Sequence, residues 1–252
     1  MLNIIRHDGP AGPTPLLIAH GLYGSARNWG VIAKRLSSDR AVIAVDMRNH
    51  GLSPWYDSHS YGDMAADLAA VIRAQGVPMA VLGHSMGGKA AMMLALHHPD
   101  LVANLIVGDI APVAYAHDQT PYIRAMQAVD LAQVEKRSDA EAQLAALVDD
   151  PSLPAFFTQS LDLKDRRWRL NLDILADQMP HILGFPAVDT QFTGPTLFLT
   201  GATSHYVQPA HRDRIKGLFP AARFAKIPGA GHWLHAEKPR EFEAAVRAWL
   251  AG

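Results

Sequence analysis

Short apolar runs alternate with longer amphipathic segments along most of the chain. Residues 16–19, 41–45, 79–82 and 105–107 are almost continuously apolar. Runs of that length and character are expected of strands in a parallel sheet covered on both faces. Between them, residues 28–36, 61–75 and 89–98 have helical length and spacing. Two more strands are predicted late, at 196–199 and 223–227. A final helix is predicted over 241–250, with Phe242, Val246, Trp249 and Leu250 on one face and Pro239 near its start. Repeated strand–helix units of this kind imply a doubly wound α/β sheet, mostly parallel, with helices on both faces.

One stretch breaks the rhythm. From about Val113 to Val188 there is no strand-like run. Residues 122–134, 139–148 and 164–179 read as helices, with a break at Pro151-Ser152-Leu153-Pro154. The expected organisation is therefore a core of residues 1–112 and 189–252, with an all-helical cap over 113–188. Tyr115, Tyr122, Phe156, Phe157 and Trp168 are candidates to face a pocket beneath that cap, or to form its own core.

Composition narrows the functions without choosing one. The chain has 252 residues, 49% hydrophobic and 19% charged, with a net charge of −1. No basic block supports nucleic-acid binding or attraction to an anionic membrane. There are no cysteines, which removes disulfides, thiol catalysis and thiolate metal sites. The first eight residues lack a signal-peptide layout, and no apolar run is long enough to insert in a membrane. A cytoplasmic monomer or homodimer is expected. Thirteen histidines are present, yet none has the spacing of a metal site, and no metal or cofactor is called for.

The chemistry concentrates at Gly83-His84-Ser85-Met86-Gly87. This is a G-x-S-x-G motif between the apolar run 79–82 and the helix-like segment that follows. Strand, sharp turn and helix are the context in which such a serine becomes an exposed nucleophile. The same segment, through Gly88-Lys89, fits most of a phosphate-binding loop. That motif ends in Ser or Thr, and here the position is Ala90.

A serine nucleophile needs a base, and the base needs an orienting acid. His232, in the loop Gly229-Ala230-Gly231-His232-Trp233 after the last strand, is the candidate base, with His235 and His205 as competitors. The acid has two candidate positions. The loop after the penultimate strand carries Ser204 where many proteins of this architecture carry aspartate. Asp109, one strand beyond the serine, is the candidate preferred here. Backbone N–H groups of Leu22 and Met86 are the expected oxyanion donors. Gly21 and Gly24 would let the first loop approach the serine. His20 is expected to brace that loop, and His20, Gly21, Tyr23, His84, Tyr206 and Trp233 are candidate substrate contacts. Asp46 and Arg48 are read as a pair that fixes the loop containing Gly51 and Ser53.

Taken together, these residues resemble the α/β-hydrolase superfamily over essentially the whole chain. Within it, the chain is similar to the YbfF-type bacterial esterases and their mitochondrial abhydrolase relatives. Four segments carry that narrower match: residues 20–25, 46–54, 83–89 and Asp109-Ile110-Ala111-Pro112-Val113. The resemblance implies that Asp109, not Ser204, is the triad acid, and that a helical cap follows it. It implies hydrolysis of short- to medium-chain acyl esters, with acyl-CoA thioesters, perhydrolysis or carbon–carbon cleavage as other uses of the same triad. A small-molecule receptor with little turnover is the reading from outside enzymology. His205 departs from the family pattern, where proline is usual.

Overall fold

The computed structural model describes residues 1–252. The first half of the chain supplies β1 (Ile4–His7), β2 (Leu16–Ala19), α1 (Gly30–Leu36), β3 (Val42–Val45), α2 (Tyr61–Gln75), β4 (Met79–His84), α3 (Met86–His97) and β5 (Val102–Gly108). An insertion follows, with α4 (Thr120–Gln127), α5 (Arg137–Ala145), α6 (Leu153–Thr158), β6 (Leu161–Asp162), β7 (Arg167–Trp168), α7 (Leu172–Asp177) and α8 (Met179–Leu183). The chain then returns to the core with β8 (Thr196–Gly201), α9 (Arg212–Leu218), β9 (Ala222–Ile227), α10 (Leu234–Glu237) and α11 (Pro239–Ala251).

Seven strands form one sheet in the order β1-β3-β2-β4-β5-β8-β9. All neighbours pair in parallel except β1 with β3. Successive strand residues point to opposite faces, and the two core layers divide accordingly. Leu17, Ile43, Val45, Val81, Leu105 and Val107 join the layer under α2 and α3. Leu16, Ile18, Val42, Ala44, Leu82 and Ile106 join the layer under α1 and α11. Both faces are buried, so these strands read as unbroken apolar runs and not as alternating ones.

Local signals fix the helices that flank the site. Ser60 caps α2 by accepting from the Asp63 N–H, and Gly76 ends it at φ +73°. Pro239 occupies the first turn of α11. The α3 helix begins at Met86, three residues earlier than the alanine-rich run suggests, because Ser85 itself occupies the N-cap.

Three expectations require correction. The edge strand β1 was not foreseen: only Ile5 and His7 are half-buried, and Arg6 gives the exposed face a charge suited to a sheet edge. The insertion is not all helical. Residues 164–179, expected as one helix, contain the end of a β6–β7 hairpin and α7. The Asp162 carboxylate accepts from the Lys164 and Asp165 N–H groups, and Arg166 takes φ +47°, which turns the chain. The predicted helix over 122–134 stops at Gln127 and is followed by a single 3₁₀ turn at Leu131–Gln133. The insertion is thus a cap of short helices plus one hairpin.

Candidate active site

Register brings the chemical residues to one edge of the sheet. His84 pairs with Gly108 across β4 and β5, Gly108 with Leu199, and Gly201 with Ile227. Ser85 and Asp109 therefore leave adjacent strands side by side, with the loops after β8 and β9 beside them.

The turn at Ser85 has φ +53° and ψ −120°, a region that non-glycine residues seldom occupy. Its glycines are there for contact. A Cβ on Gly83 would lie 2.1 Å from the Gly87 carbonyl oxygen, and one on Gly87 would lie 2.4 Å from that of Ala19. A Cβ on Gly21 would approach His84 Nδ1 at 3.0 Å and Ser85 Cβ at 3.3 Å. Gly24 packs on Gly21 and the His20 ring, so only Gly21 makes the expected close approach to the serine.

Ser85, His232 and Asp109 form a hydrogen-bonded chain. Ser85 Oγ lies 3.1 Å from His232 Nε2, and His232 Nδ1 lies 2.8 Å from Asp109 Oδ2. With Nδ1–H donated to the carboxylate, Nε2 is left to accept from the serine. Asp109 is fully buried and has φ +50°. Its other oxygen accepts from the Gly201 N–H at 3.1 Å, and Ser204 Oγ donates to Oδ2. The two candidate acid positions thus meet: Ser204 contributes a hydroxyl to the carboxylate supplied by Asp109. His205 is exposed. His235 is buried against Trp29, with ring centroids 4.1 Å apart, and lies outside the Ser85–His232–Asp109 chain.

Backing groups hold His232 in place. The Tyr206 ring stacks on the imidazole at 3.9 Å between centroids, 18° from parallel. His84 Nε2 donates to the His232 carbonyl at 2.8 Å. Burial, with His235 and His232 nearby, holds the His84 ring well below the usual histidine range, and burial pushes His235 down to about 3. Both rings are therefore neutral near pH 7 and do not repel a positive charge on His232. Tyr115 was foreseen only as a pocket candidate. Its hydroxyl accepts from the Ala111 N–H and donates to the Tyr206 carbonyl, linking the two loops that flank Asp109 and His232.

The loop after β2 is braced from behind by a second histidine cluster. The Met47 N–H donates to His20 Nε2, and His20 Nδ1 donates to the Gly21 carbonyl. The Tyr23 N–H donates to His50 Nε2. The Leu22 N–H has no hydrogen-bond partner in the chain. The Met86 N–H is at the first position of α3, where the helix supplies no acceptor. Asp46 and Arg48 do not pair with each other, as had been expected. Asp46 accepts from the Ala26 and Leu52 N–H groups and from Asn3, while Arg48 pairs with Asp67 and Asp63. Each still fixes a loop, by separate contacts.

A cavity of about 220 Å³ opens at Ser85. Gly21, Leu22, Tyr23, His84, Met86, Tyr206, His232 and Trp233 line it from the core, and Tyr115, Tyr122, Phe156 and Phe157 from the cap side. Two candidates fall outside the lining. His20 is 1% exposed and serves only the loop. Trp168 packs inside the cap and donates its indole N–H to the Met126 carbonyl. Lys89 lines the cavity and was unforeseen, its place in the sequence having pointed to a phosphate loop.

A parallel sheet covered on both faces, with a strand–serine–helix turn at its edge, defines a class. A family model described as "alpha/beta hydrolase fold" matches residues 14–239. The chain belongs to the α/β-hydrolase family, and it is a hydrolase. It is 41% identical to mouse "sn-1-specific diacylglycerol lipase ABHD11", over 97% of this chain and 83% of that protein. It is 40% identical to "Esterase YbfF" of Escherichia coli K12, over 94% of this chain and 93% of that one. Among solved structures, a "Marine microorganism esterase" superposes with a TM-score of 0.92 at 37% identity, covering 98% of both chains. No helix is long and apolar enough to cross a membrane.

Proposed function

We propose that this chain is a serine carboxylesterase that cleaves short- to medium-chain acyl esters through an acyl-enzyme on Ser85. The observation that carries the reading is the Ser85–His232–Asp109 chain at the mouth of a mainly apolar cavity. In this reading His232 Nε2 takes the Ser85 proton while Oγ attacks the ester carbonyl carbon. The N–H groups of Leu22 and Met86 stabilise the oxyanion, and Asp109 holds the imidazolium in orientation. The imidazolium then protonates the departing alcohol. Water, deprotonated by His232, releases the acid and restores Ser85.

Tyr206 adds a term that exists only when His232 is charged. A ring face stacked on imidazolium is attractive by about 0.5–2 kcal/mol, and the cation forms in the transition state. The cavity volume supports the acyl range. At about 220 Å³ it is smaller than the roughly 300–1,000 Å³ of sites for drug-sized ligands. The mouse relative is named for diacylglycerol and the bacterial one as an esterase, and both names denote carboxylic ester hydrolysis.

Hydrolysis of a p-nitrophenyl ester series from acetate to laurate tests the reading. Sustained turnover, lost in Ser85→Ala and optimal at short to medium length, is expected. Labelling of Ser85 by a fluorophosphonate with no ester turnover would reject the carboxylesterase reading and turn attention to acyl-CoA thioesters.

A further inference from the structure

Lys89 is the one ammonium in the cavity lining, and the mechanism above makes no use of it. It follows Ser85 by four residues, in the first turn of α3, where its N–H donates to the Ser85 carbonyl at 3.0 Å. Lys89 is 1% exposed. Nζ donates to the carbonyls of Leu183 at 2.8 Å and Gly184 at 2.6 Å, at the C-terminal end of α8. The third contact is of a different kind. The Ile182 carbonyl is 3.5 Å away and already accepts the Tyr61 hydroxyl at 2.6 Å. An ammonium has three donors, and one of them here has only this distant, shared acceptor.

The surroundings offer the ammonium two ring faces but no counter-charge. The Tyr115 and Tyr61 rings lie 4.8 and 5.6 Å from Nζ. Asp150 is the only carboxylate in the lining; it is exposed in the cap and accepts from Ser152. Lysine is seldom fully buried without a partner, because an unpaired charge loses its hydration without compensation. A buried cation with a poorly used donor, in the wall of a substrate cavity, is matched by an anion on the substrate.

We propose that Lys89 receives a carboxylate at the far end of the acyl group, so that the favoured substrates are half-esters of short dicarboxylic acids. The ester carbonyl sits at Ser85 and the free carboxylate on Lys89. This rests on Ser85 being the nucleophile. Burial lowers the Lys89 ammonium to about 7. The titratable groups facing it are Tyr61 from α2 and Tyr115 and His117 from the segment after β5. Burial raises both tyrosines and lowers His117, so none is an anion near neutral pH. A carboxylate pairs with the ammonium and not with the amine. The preference for half-esters is therefore full between the substrate carboxyl's own titration, at about pH 4–5, and about pH 7, and declines above it.

The test compares monoethyl succinate, glutarate and adipate with ethyl butanoate, pentanoate and hexanoate. A charge-assisted hydrogen bond predicts a kcat/KM ratio of about tenfold or more in favour of the half-esters. That ratio should fall as pH rises through neutrality. In Lys89→Met it should drop below unity, since the carboxylate then has no partner. If that variant does not fold, the pH dependence of the native ratio decides alone. Equal or better cleavage of the neutral esters at every pH overturns the proposal while leaving Ser85 as nucleophile. If no ester is cleaved, the carboxylesterase reading fails, and Lys89 is judged by thermal shift of the Ser85→Ala protein. Stabilisation by monoethyl glutarate and not by ethyl pentanoate supports it, and no stabilisation overturns it.

Discussion

The core and the cap solve different problems. The edge of the sheet holds Ser85, Asp109 and the His232 loop on strand ends whose neighbours are close-packed backbone. The Gly83 and Gly87 contacts leave no room there for even a methyl group. The cap is built from helices of five to nine residues and one hairpin of two-residue strands. Its contribution to the site is mainly apolar wall: Tyr122, Leu153, Phe156, Phe157, Ile182 and Leu183. In the proposed reading the core sets whether a bond is cleaved, and the cap, with the Tyr115 loop and Lys89, sets which acyl group reaches it. Damage to the core should therefore lower activity on all substrates alike, and damage to the cap should redistribute it.

The largest expected effect tests the core. Asp109→Asn should lower kcat on the order of 10⁴-fold for every ester, because the amide favours the wrong histidine tautomer. Ser204 Oγ already touches Asp109 Oδ2. The double variant Asp109→Asn with Ser204→Asp should recover part of the loss, as a carboxylate returns from the next loop. Steady-state kcat across the ester series decides both points. A loss confined to long esters would break the division between core and cap.

Acid sensitivity separates the two regions next. Burial lowers His59 and His235 to about 3, and holds His50 and His84 well below the usual range. The cap histidines His117 and His181 are exposed. For His59 and His235, the unfolded chain binds a proton below about pH 6.5, while the folded one does not until about pH 3. Stability should accordingly fall as pH drops through that window, by about 1.4 kcal/mol per pH unit for each such histidine. Urea unfolding as a function of pH measures the slope. His59→Gln should flatten it by one histidine's share, and an unchanged slope would count against burial as its source.

Substitution in the cap should act on selectivity. The Phe156 ring packs against Trp233 at 4.6 Å in the cavity wall. Phe156→Ala should raise KM for medium-chain esters by about tenfold or more, with kcat for acetate little changed. The smallest effect belongs to Tyr206. Tyr206→Leu should lower kcat by roughly 2- to 30-fold. Tyr206→Phe should stay near native. A change in KM alone would make Tyr206 a wall residue and not a support for imidazolium.

The strands β2 to β5, and β8, were legible because a covered parallel sheet writes both faces as apolar residues. The edge strand β1 and the β6–β7 hairpin were not, since a few half-exposed residues carry too little periodicity to separate strand from loop. Ser85 and His232 were legible from motif and loop position. Asp109 was preferred because the usual acid position holds Ser204, which has no carboxylate, and because Asp109 ends the neighbouring strand; the family resemblance supported that choice, and the two side chains prove to be in contact. Lys89 was misdirecting: its spacing from Gly83 imitates a phosphate loop, and only its long-range hydrogen bonds to the C-terminal end of α8 place its ammonium in the cavity wall. The stack of Tyr206 on His232 depends on how two loops cross, which no local pattern encodes.

The proposed chemistry passes through a covalent acyl group on Ser85. Rapid mixing with an activated ester, an acid quench, and mass analysis of the intact chain and its peptides test it most directly. One acyl adduct is expected on the peptide containing Ser85, absent in Ser85→Ala. Turnover with no adduct at any quench time under slow deacylation, or an adduct on another residue, would contradict it.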